Sequence, residues 1–571
     1  MMLRSPLRWL PACLLLTWGV GMFGRGYWTP DEPREADIAW RMSWQPDKAV
    51  PLLAGEAFCE KPPMTYWVAA LPVKFFGVQA WAARLPNLLY ALITALSVGL
   101  LAARSAGRFA GMVGAAAVST FLLSYQVAIW LATDAPLLAS VSAALLGAYI
   151  GFYAASKQER VRGYLLMHTA LGLGFLCKSA VAWMVPALAI LTLSIWEKRW
   201  RELLRWELYA GLGVQAAMIL CWVWFVYVGD DGPAHLKVFF WNNLVGRFAA
   251  VDAPPELQYA TGHRNFPGKY LLELPMYLFP WTLLVIAALA RAWQRRNADH
   301  DNRSVRFALA ASVPSLVVLS MAATARNVYF APALPGIALL VAGWAQQIQQ
   351  KLDRWDVRAL RLTAALMLVV AAVVIAAAGL IAVISWVDPD NHAAYIVISS
   401  LGGAAAIGLT LAAWTAARDR AARALGCLLL AYCALLIGPA SQVYRQVDRW
   451  QDLAKIGVAV KHDAAGGPLI LLAPDETTRA MIDMYARTSV DRVPGPIDAA
   501  VIDRVRTLAA AAPDSFFLVL VPGGARGLDL LSGREPSVEA ALPWRQSAGL
   551  EIAKSYSLPH GRRYALLKLK R

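Results

Sequence analysis

Charged residues are scarce in this sequence, because Asp, Glu, Lys and Arg make up only 16% of its 571 residues while 58% are hydrophobic. A soluble globular chain averages roughly 25% charged and 45–50% apolar residues. The surplus apolar residues lie in long uninterrupted runs, which indicate membrane-spanning helices. The composition therefore predicts an integral membrane protein.

Cysteine motifs and a cleavage site are also lacking. None of the six cysteines forms a CxxC pair, so neither a zinc–thiolate site nor a disulfide framework is predicted. The first 24 residues contain two arginines and then an apolar stretch, but no small-x-small cleavage site follows them. We therefore expect an uncleaved first helix at the N-terminus.

The net charge is +16, and a basic balance of this size sometimes marks a nucleic-acid partner. Here the basic residues lie in short clusters between apolar runs, which is the placement that membrane orientation requires. We expect contacts with membrane lipids and no nucleic-acid partner.

The apolar runs predict thirteen transmembrane helices. They lie near residues 9–24, 81–101, 109–128, 135–155, 163–177, 180–196, 208–228, 272–290, 307–324, 328–347, 362–385, 393–416 and 423–441.

Lys and Arg predict the orientation of these helices, since basic loops stay in the cytoplasm. Every second loop carries a basic cluster, at 104–108, 157–162, 198–205, 291–296, 351–361 and 418–423. Arg4 and Arg8 place the N-terminus on the same side. We expect a multi-pass protein of the cytoplasmic (inner) membrane, with a cytoplasmic N-terminus and an extracytoplasmic C-terminal domain.

Two regions are predicted. Residues 1–441 form the membrane region, with long outer loops at 25–80 and 229–271, and the first loop is expected to hold amphipathic helices on the membrane surface. Residues 442–571 have ordinary polarity, with strands predicted at 468–474 and 516–521 and helices starting at 475 and 501. This alternation predicts a small extracytoplasmic α/β domain.

The first outer loop is rich in carboxylates, since Asp31, Glu32, Glu35 and Asp37 lie within seven residues. Asp31 closely follows the first predicted span and is a candidate catalytic residue. The alternative is a helix cap followed by an acidic first turn in solvent.

The segment Glu60-Lys61-Pro-Pro and the following Tyr66-Trp67 combine an acid, a base, prolines and aromatic rings. Proline restricts the backbone and can hold a side chain in place. Lys61 is therefore a candidate phosphate ligand. The alternative is an interfacial anchor within an aromatic belt.

Further isolated charges fall on the predicted outer face, where the positive-inside rule does not explain them. They are Asp134, Lys178 and Arg247, together with Arg326 close to Tyr329. Asp134 could instead cap a helix, and Lys178 could reach toward the interface as a structural lysine. Acids and bases from five outer loops on one face suit a sugar phosphate held at a bilayer surface. There, cations neutralise the leaving phosphate and a carboxylate takes the proton of the attacking hydroxyl.

Several motifs resemble the superfamily of aminoarabinose transferases and protein mannosyltransferases, which are membrane glycosyltransferases of the GT-C fold. In chain order they are Pro30-Asp31-Glu32, Glu60-Lys61-Pro62-Pro63, Ala83-Arg84-Leu85-Pro86, Thr133-Asp134, the run 174–178, the run 241–248, Pro280-Trp281 and the run 329–332. The resemblance covers the whole membrane region.

The resemblance implies a GT-C membrane domain of thirteen helices with a soluble C-terminal domain. It also implies a polyprenyl-phosphate sugar donor, inversion at the anomeric carbon, and a lipid A-like glycolipid, protein or polysaccharide acceptor on the outer face. Asp31 would be the base with Asp134 beside it, and Lys61 and Arg247 would bind the donor phosphate.

Other residues are expected to support this site. Lys178 is assigned to the phosphate, and further substrate contacts are assigned to Glu32, Glu60, Tyr66, Arg326 and Tyr329.

Metal binding is not expected to be tight, because Asn242 stands where the lipid A transferases carry a metal-binding His. A divalent cation such as magnesium or manganese, held by a carboxylate, stays open as a cofactor. The rival interpretation is a transporter or lipid flippase, which would need ionisable residues along a path through the membrane and repeated halves. The sequence has neither feature.

Overall fold

The computed structural model of the chain describes residues 8–247, 251–252, 266–295, 302–322, 326–383, 389–464, 467–486, 490–522, 537–558 and 561–570. Arg247 is described in its backbone alone, and its side chain lies outside the described part. Most of the described residues are helical, and the strands are confined to one short hairpin and one sheet.

Within the described residues, eight helical runs are long and apolar enough to cross a membrane, so the chain is a multi-pass membrane protein. They are α4–α5 (Ala80–Arg84 and Pro86–Ala106), α8 (Asp134–Phe152), α11–α12 (Trp206–Tyr209 and Leu212–Tyr227), α16 (Arg303–Ser320), α17 (Leu334–Gln350) with the 3-10 turn Asn327–Ala333 before it, α18 (Arg354–Val383), α19 (His392–Ala416), and the run Ala421–Asp463, which begins with α20 (Ala421–Leu435).

Other predicted spans correspond to helices that are shorter, broken or charged at one end. α1 (Leu10–Met22) and α10 (Val181–Trp196) are shorter apolar helices. α9 (Lys157–Lys178) covers the predicted span 163–177 and begins with a charged turn.

Two predicted spans are broken helices rather than straight ones. α6 (Arg108–Thr120) and α7 (Leu122–Ile129) meet at an angle of 65°, and α14 (Lys269–Tyr277) and α15 (Thr282–Gln294) at 109°. The two breaks lie against each other, because the backbone N–H of Leu122 donates to the carbonyl of Phe279 at 2.9 Å. The N–H group at one break and the carbonyl group at the other thus satisfy each other. Backbone polar groups in the membrane interior need such partners, because no water is available there.

The first outer loop folds into α2 (Asp31–Trp44), a hairpin of β1 (Leu52–Leu53) and β2 (Glu56–Ala57), and α3 (Met64–Phe76). The second contains α13 (Gly232–Leu236), a π-helix at Lys237–Leu244 and a 3-10 turn at Val245–Arg247.

The C-terminal region contains the short α21 (Ser441–Asp448), then α22 (Leu453–Asp463), α23 (Glu476–Ala486) and α24 (Ala499–Ala511). Its five strands are β3 (Leu469–Leu472), β4 (Val490–Val493), β5 (Phe516–Val521), β6 (Leu550–Ser557) and β7 (Arg563–Leu569), in the order β4-β3-β5-β7-β6. The predicted strands at 468–474 and 516–521 are confirmed as the parallel pair β3 and β5. β7 is antiparallel to both of its neighbours, so the sheet is mixed.

Part of the apolar surface of α2 is covered by protein. Ile38 and Met42 of α2 are buried in one cluster with Phe58 and Tyr66 of the loop and Ala480 of α23. Ile38 and Met42 thus pack between α3 and the C-terminal domain, whereas Trp44 of the same helix is 55% exposed, so a position of this loop on the membrane surface stays a prediction.

Glu32 is the centre of a buried ion cluster. Its fully buried carboxylate accepts six hydrogen bonds, from the guanidinium groups of Arg25 and Arg84 and from the backbone N–H groups of Trp28 and Leu131. Burial by itself raises the pKa of Glu32, but the positive charges of Arg84 and Arg25 outweigh burial and lower the pKa to about 2. Its contribution to stability is therefore complete above pH 4.5 and is lost as the pH falls towards 2.

We predict that Glu32→Gln destabilises the fold, because it keeps the shape of the side chain but leaves two buried guanidinium groups without their counter-charge. Removing one partner of a buried ion pair costs about 3–5 kcal/mol. Thermal unfolding of the detergent-solubilised protein should show a clear fall in melting temperature.

The matched control is Glu551→Gln, which removes an exposed ion pair with Lys568 at 3.3 Å. Exposed pairs contribute roughly 0–1 kcal/mol, so this variant should melt close to the wild type. Equal melting temperatures for the two variants would contradict the role assigned to Glu32.

Candidate functional site

Four chain segments bring acids and bases together at one end of the helical bundle. They are the first turn of α2, the start of α8, the end of α9 and the residues around the 3-10 turn that precedes α17. The start of α8 and the end of α9 lie at the same end because these helices are consecutive and antiparallel.

Asp31 and Arg326 form an ion pair that is open to solvent. Both terminal nitrogens of Arg326 donate to the Asp31 carboxylate, one of them at 3.3 Å. The Asp31 side chain is 24% exposed and that of Arg326 is 53% exposed. The hydroxyl of Tyr270 donates to the Arg326 carbonyl at 2.8 Å, which anchors the backbone of the arginine. The N-cap residue of α2 is Pro30, so Asp31 lies in the acidic first turn of the helix and not at its cap.

Asp134 and Lys178 form a second pair, in which the lysine ammonium donates to the carboxylate. The Lys178 nitrogen also lies 5.0 Å from the centre of the Tyr329 ring, within range of a cation–π contact. Asp134 is buried and makes no side-chain cap, so its carboxylate is used for the ion pair. The charge of Asp134 also acts on Arg326, which places this pair beside the first.

Lys61 belongs to a third group of charges, in the first outer loop. Its ammonium donates to the carboxylate of Glu35 and lies 5.9 Å from the centre of the Phe58 ring. Burial lowers the pKa of Lys61, but the carboxylates of Glu35 and Glu60 outweigh burial and the net pKa is raised. Lys61 therefore stays cationic in a largely enclosed site.

Arg34 lies between the charges around Lys61 and the pair of Asp31 with Arg326. One of its terminal nitrogens lies 4.0 Å from the Glu60 carboxylate. The charges of Glu35 and Asp31 also act on it. The Glu60 carbonyl accepts a hydrogen bond from the Asn243 side chain, which ties this segment to the second outer loop.

Two residues that were predicted to contact substrate are buried in the protein, and their assignment stays a prediction. Glu32 is fully buried, and its carboxylate accepts hydrogen bonds from two arginines and two backbone N–H groups. Tyr66 is 1% exposed and packs in the cluster under α2. Burial and the carboxylate of Glu35 raise the pKa of Tyr66 well above its usual value. The side chain of Arg247 lies outside the described residues, so its assignment stays a prediction.

Arg34 and Glu35 were not predicted as site residues. They follow Asp31 by three and four positions in α2, and residues at this spacing share one face of a helix. Helical periodicity applied to the carboxylate-rich segment would have found both of them.

Metal ligands are not gathered in the described part of the chain. Within it, no three His, Cys, Asp or Glu side chains are placed to hold one ion. Asn242 is buried beside Asn243 on the π-helix. The absence of a tight zinc site stays a prediction.

Comparison with known proteins identifies relatives of the membrane region. The family model described as dolichyl-phosphate-mannose-protein mannosyltransferase matches residues 60–227. The undecaprenyl phosphate-alpha-4-amino-4-deoxy-L-arabinose arabinosyl transferase of Pseudomonas paraeruginosa is 30% identical over 372 residues, 61% of each chain. The corresponding transferase 1 of Pseudomonas fluorescens is 29% identical over 457 residues, covering 77% of this chain and 78% of the relative. The match to the first of these relatives spans about three fifths of its length.

The fold matches a solved structure over nearly its whole length. ArnT from Cupriavidus metallidurans bound to undecaprenyl phosphate has a TM-score of 0.73 and 20% sequence identity, with 98% of this chain and 97% of that chain covered. The resemblance predicted from the motifs is thereby confirmed. The chain is therefore similar in sequence to these transferases and has the GT-C fold.

Proposed function

We propose that this protein is an inverting membrane glycosyltransferase, which transfers a sugar from a polyprenyl-phosphate donor to an acceptor on the extracytoplasmic face. The names of the relatives make undecaprenyl phosphate-linked 4-amino-4-deoxy-L-arabinose the first donor to test. A lipid A-like glycolipid is the first acceptor, with protein and polysaccharide as the other classes.

The observation that carries the proposal is the pairing of two carboxylates with two cations at one end of the bundle. Asp31 pairs with Arg326, and Asp134 pairs with Lys178. In the transfer, an acceptor hydroxyl attacks the anomeric carbon, the bond from that carbon to the phosphate oxygen breaks, and the phosphate takes the electron pair. A carboxylate accepts the hydroxyl proton, and cations stabilise the charge on the departing phosphate.

Asp31 is the better placed base, because its side chain is 24% exposed while Asp134 is buried. Arg326 would orient the Asp31 carboxylate towards the acceptor. Asp134, held by Lys178, would act beside it.

The donor phosphate is assigned to Lys61 and Arg247, with Lys178 as a further cation. Lys61 has a raised pKa and remains cationic, as a phosphate ligand must. The contact of Asn243 with Glu60 brings the second outer loop to the Lys61 segment, and Arg247 follows Asn243 by four residues in that loop.

The proposed location is the inner membrane, with the N-terminus in the cytoplasm and the C-terminal domain outside. The alternation of basic loops supports this orientation. The packing of α23 on α2 agrees with it, since the first outer loop and the C-terminal domain must then share one side.

The function is tested by incubating the purified protein with a panel of undecaprenyl-phosphate sugars and with lipid A, peptide and polysaccharide acceptors. We expect release of undecaprenyl phosphate together with formation of a glycosylated acceptor whose anomeric configuration is inverted relative to the donor. Movement of the intact donor lipid across a vesicle membrane, without transfer, would instead favour the flippase interpretation.

We predict that Asp31→Asn lowers turnover, because the amide cannot accept the hydroxyl proton. Loss of a general base costs on the order of 10²–10⁴-fold in rate. The measurement is kcat with saturating donor, and Asp503→Asn on the exposed face of α24 is the control. Near-normal turnover of a folded Asp31→Asn protein would exclude Asp31 as the base.

We predict that Lys61→Ala weakens donor binding, since a charge-assisted hydrogen bond contributes about 1.5–3 kcal/mol, or roughly tenfold or more in affinity. Titration with undecaprenyl phosphate measures the effect, and Lys554→Ala on the exposed strand β6 is the control. Combination with Arg247→Ala should be non-additive, because both cations share one phosphate. Unchanged affinity in both single variants would remove this site.

We predict that a reporter fused after Arg571 is active when it requires an extracytoplasmic location. The same reporter fused within the basic loop at 351–361 should be inactive. Activity in the reverse pattern would overturn the proposed orientation.

A further inference from the structure

The C-terminal domain contacts the candidate site through the first turn of α23. The Thr477 hydroxyl donates a hydrogen bond to the carbonyl of Pro30 at 3.3 Å, and Pro30 directly precedes Asp31. One residue earlier, a carboxylate oxygen of Glu476 lies 2.7 Å from Nε of Arg34. One helical turn of the domain therefore reaches both the Asp31 segment and the charges around Lys61.

Arg34 lies between the domain and the Lys61 group. Its guanidinium is 5.6 Å from the centre of the Phe58 ring, and Lys61 lies 5.9 Å from the same ring. Burial lowers the pKa of Arg34, but the charges of Glu476 and then Glu60 outweigh burial and raise it. The positive charge of Arg34 is thus shared between a carboxylate of the domain and a carboxylate of the loop.

Release of Arg34 from Glu476 would change the partners available to Lys61. Glu35, which accepts from Lys61, also acts electrostatically on Arg34. A guanidinium binds a carboxylate through two parallel hydrogen bonds, so a released arginine would compete strongly with the lysine for Glu35 and Glu60. Glu476 contacts Arg34 from the side of the C-terminal domain, at 2.7 Å from Nε.

We propose that Glu476 is a positioning residue of the donor site and that the C-terminal domain thereby completes that site. Glu476 holds Arg34, which leaves Lys61 on Glu35 in the geometry that receives a polyprenyl phosphate. The inference rests on the glycosyltransferase function proposed above, with Lys61 as a ligand of the donor phosphate.

A second ion pair between the same two helices provides a matched control. Asp483 of α23 lies 2.7 Å from Arg41 of α2 and 2.8 Å from Arg492 of β4. This pair also joins the domain to α2, but at the opposite end from Asp31. The Asp483 side chain is 10% exposed and that of Glu476 is 51% exposed, so a purely structural clamp would depend more on Asp483.

The test compares Glu476→Gln with Asp483→Asn in the full-length protein, using undecaprenyl-phosphate sugar as donor. Glu476→Gln should raise the donor KM about fivefold, within the range of coupling between neighbouring charges, with kcat and melting temperature nearly unchanged. Asp483→Asn should lower the melting temperature and leave the donor KM unchanged. An unchanged KM in Glu476→Gln would overturn the proposal.

A charge reversal distinguishes a role of Glu476 in positioning Arg34 from a simple attraction between α2 and α23. The double variant Arg34→Glu with Glu476→Arg restores opposite charges between the helices, but it places a carboxylate beside Glu60. Its donor KM should stay raised. Full recovery of KM would show that only the attraction between helices matters and would reject the proposal. A wild-type protein without transfer from any polyprenyl-phosphate sugar would instead overturn the proposed function, and this inference with it.

Discussion

One buried carboxylate, Glu32, organises the end of the helical bundle that carries the candidate site. It joins the chain after α1 through Arg25, the start of the α4–α5 span through Arg84, and the connection between α7 and α8 through the N–H of Leu131. A buried carboxylate is tolerated only when it is fully paired, so these segments must meet at one point. Asp31 is the neighbour of Glu32, and Asp134 follows Leu131 by three residues. The same constraint therefore brings the two candidate carboxylates of the site to the same place.

The site around this point is built from paired charges. Asp31, Asp134 and Glu35 each have a cation, namely Arg326, Lys178 and Lys61. Pairing of this kind lets ionised groups persist beside an apolar region, where a lone charge is expensive. An anionic ligand entering the site would compete with the carboxylates for these cations. The proposed donor phosphate therefore meets cations that are already charged and oriented.

The C-terminal domain is packed against the first loop of the membrane region and is not attached through the chain alone. Ala480 of α23 is buried with Ile38 and Met42 of α2, and ion pairs at both ends of α23 reach α2. The domain and the first outer loop thus share an apolar core as well as charges. A movement of one would carry the other with it, which is the physical basis for assigning the domain a part in the site.

The sequence predicted the membrane class, most of the spans and the two strands β3 and β5. It also indicated Asp31, Lys61, Asp134 and Lys178 as candidate site residues, and each of them forms an ion pair in the structure. Long apolar runs, alternating basic loops and isolated charges are local properties, and local properties can be read along a chain. The breaks between α6 and α7 and between α14 and α15 were not predictable, because each is compensated by a hydrogen bond to the other across the fold. Glu32 and Asp31 stand side by side in the sequence with the same chemistry, yet one is buried among arginines and the other faces solvent. Only the tertiary structure decided between them, because burial and ion pairing depend on Arg25, Arg84 and Arg326, and two of these lie far from α2 along the chain.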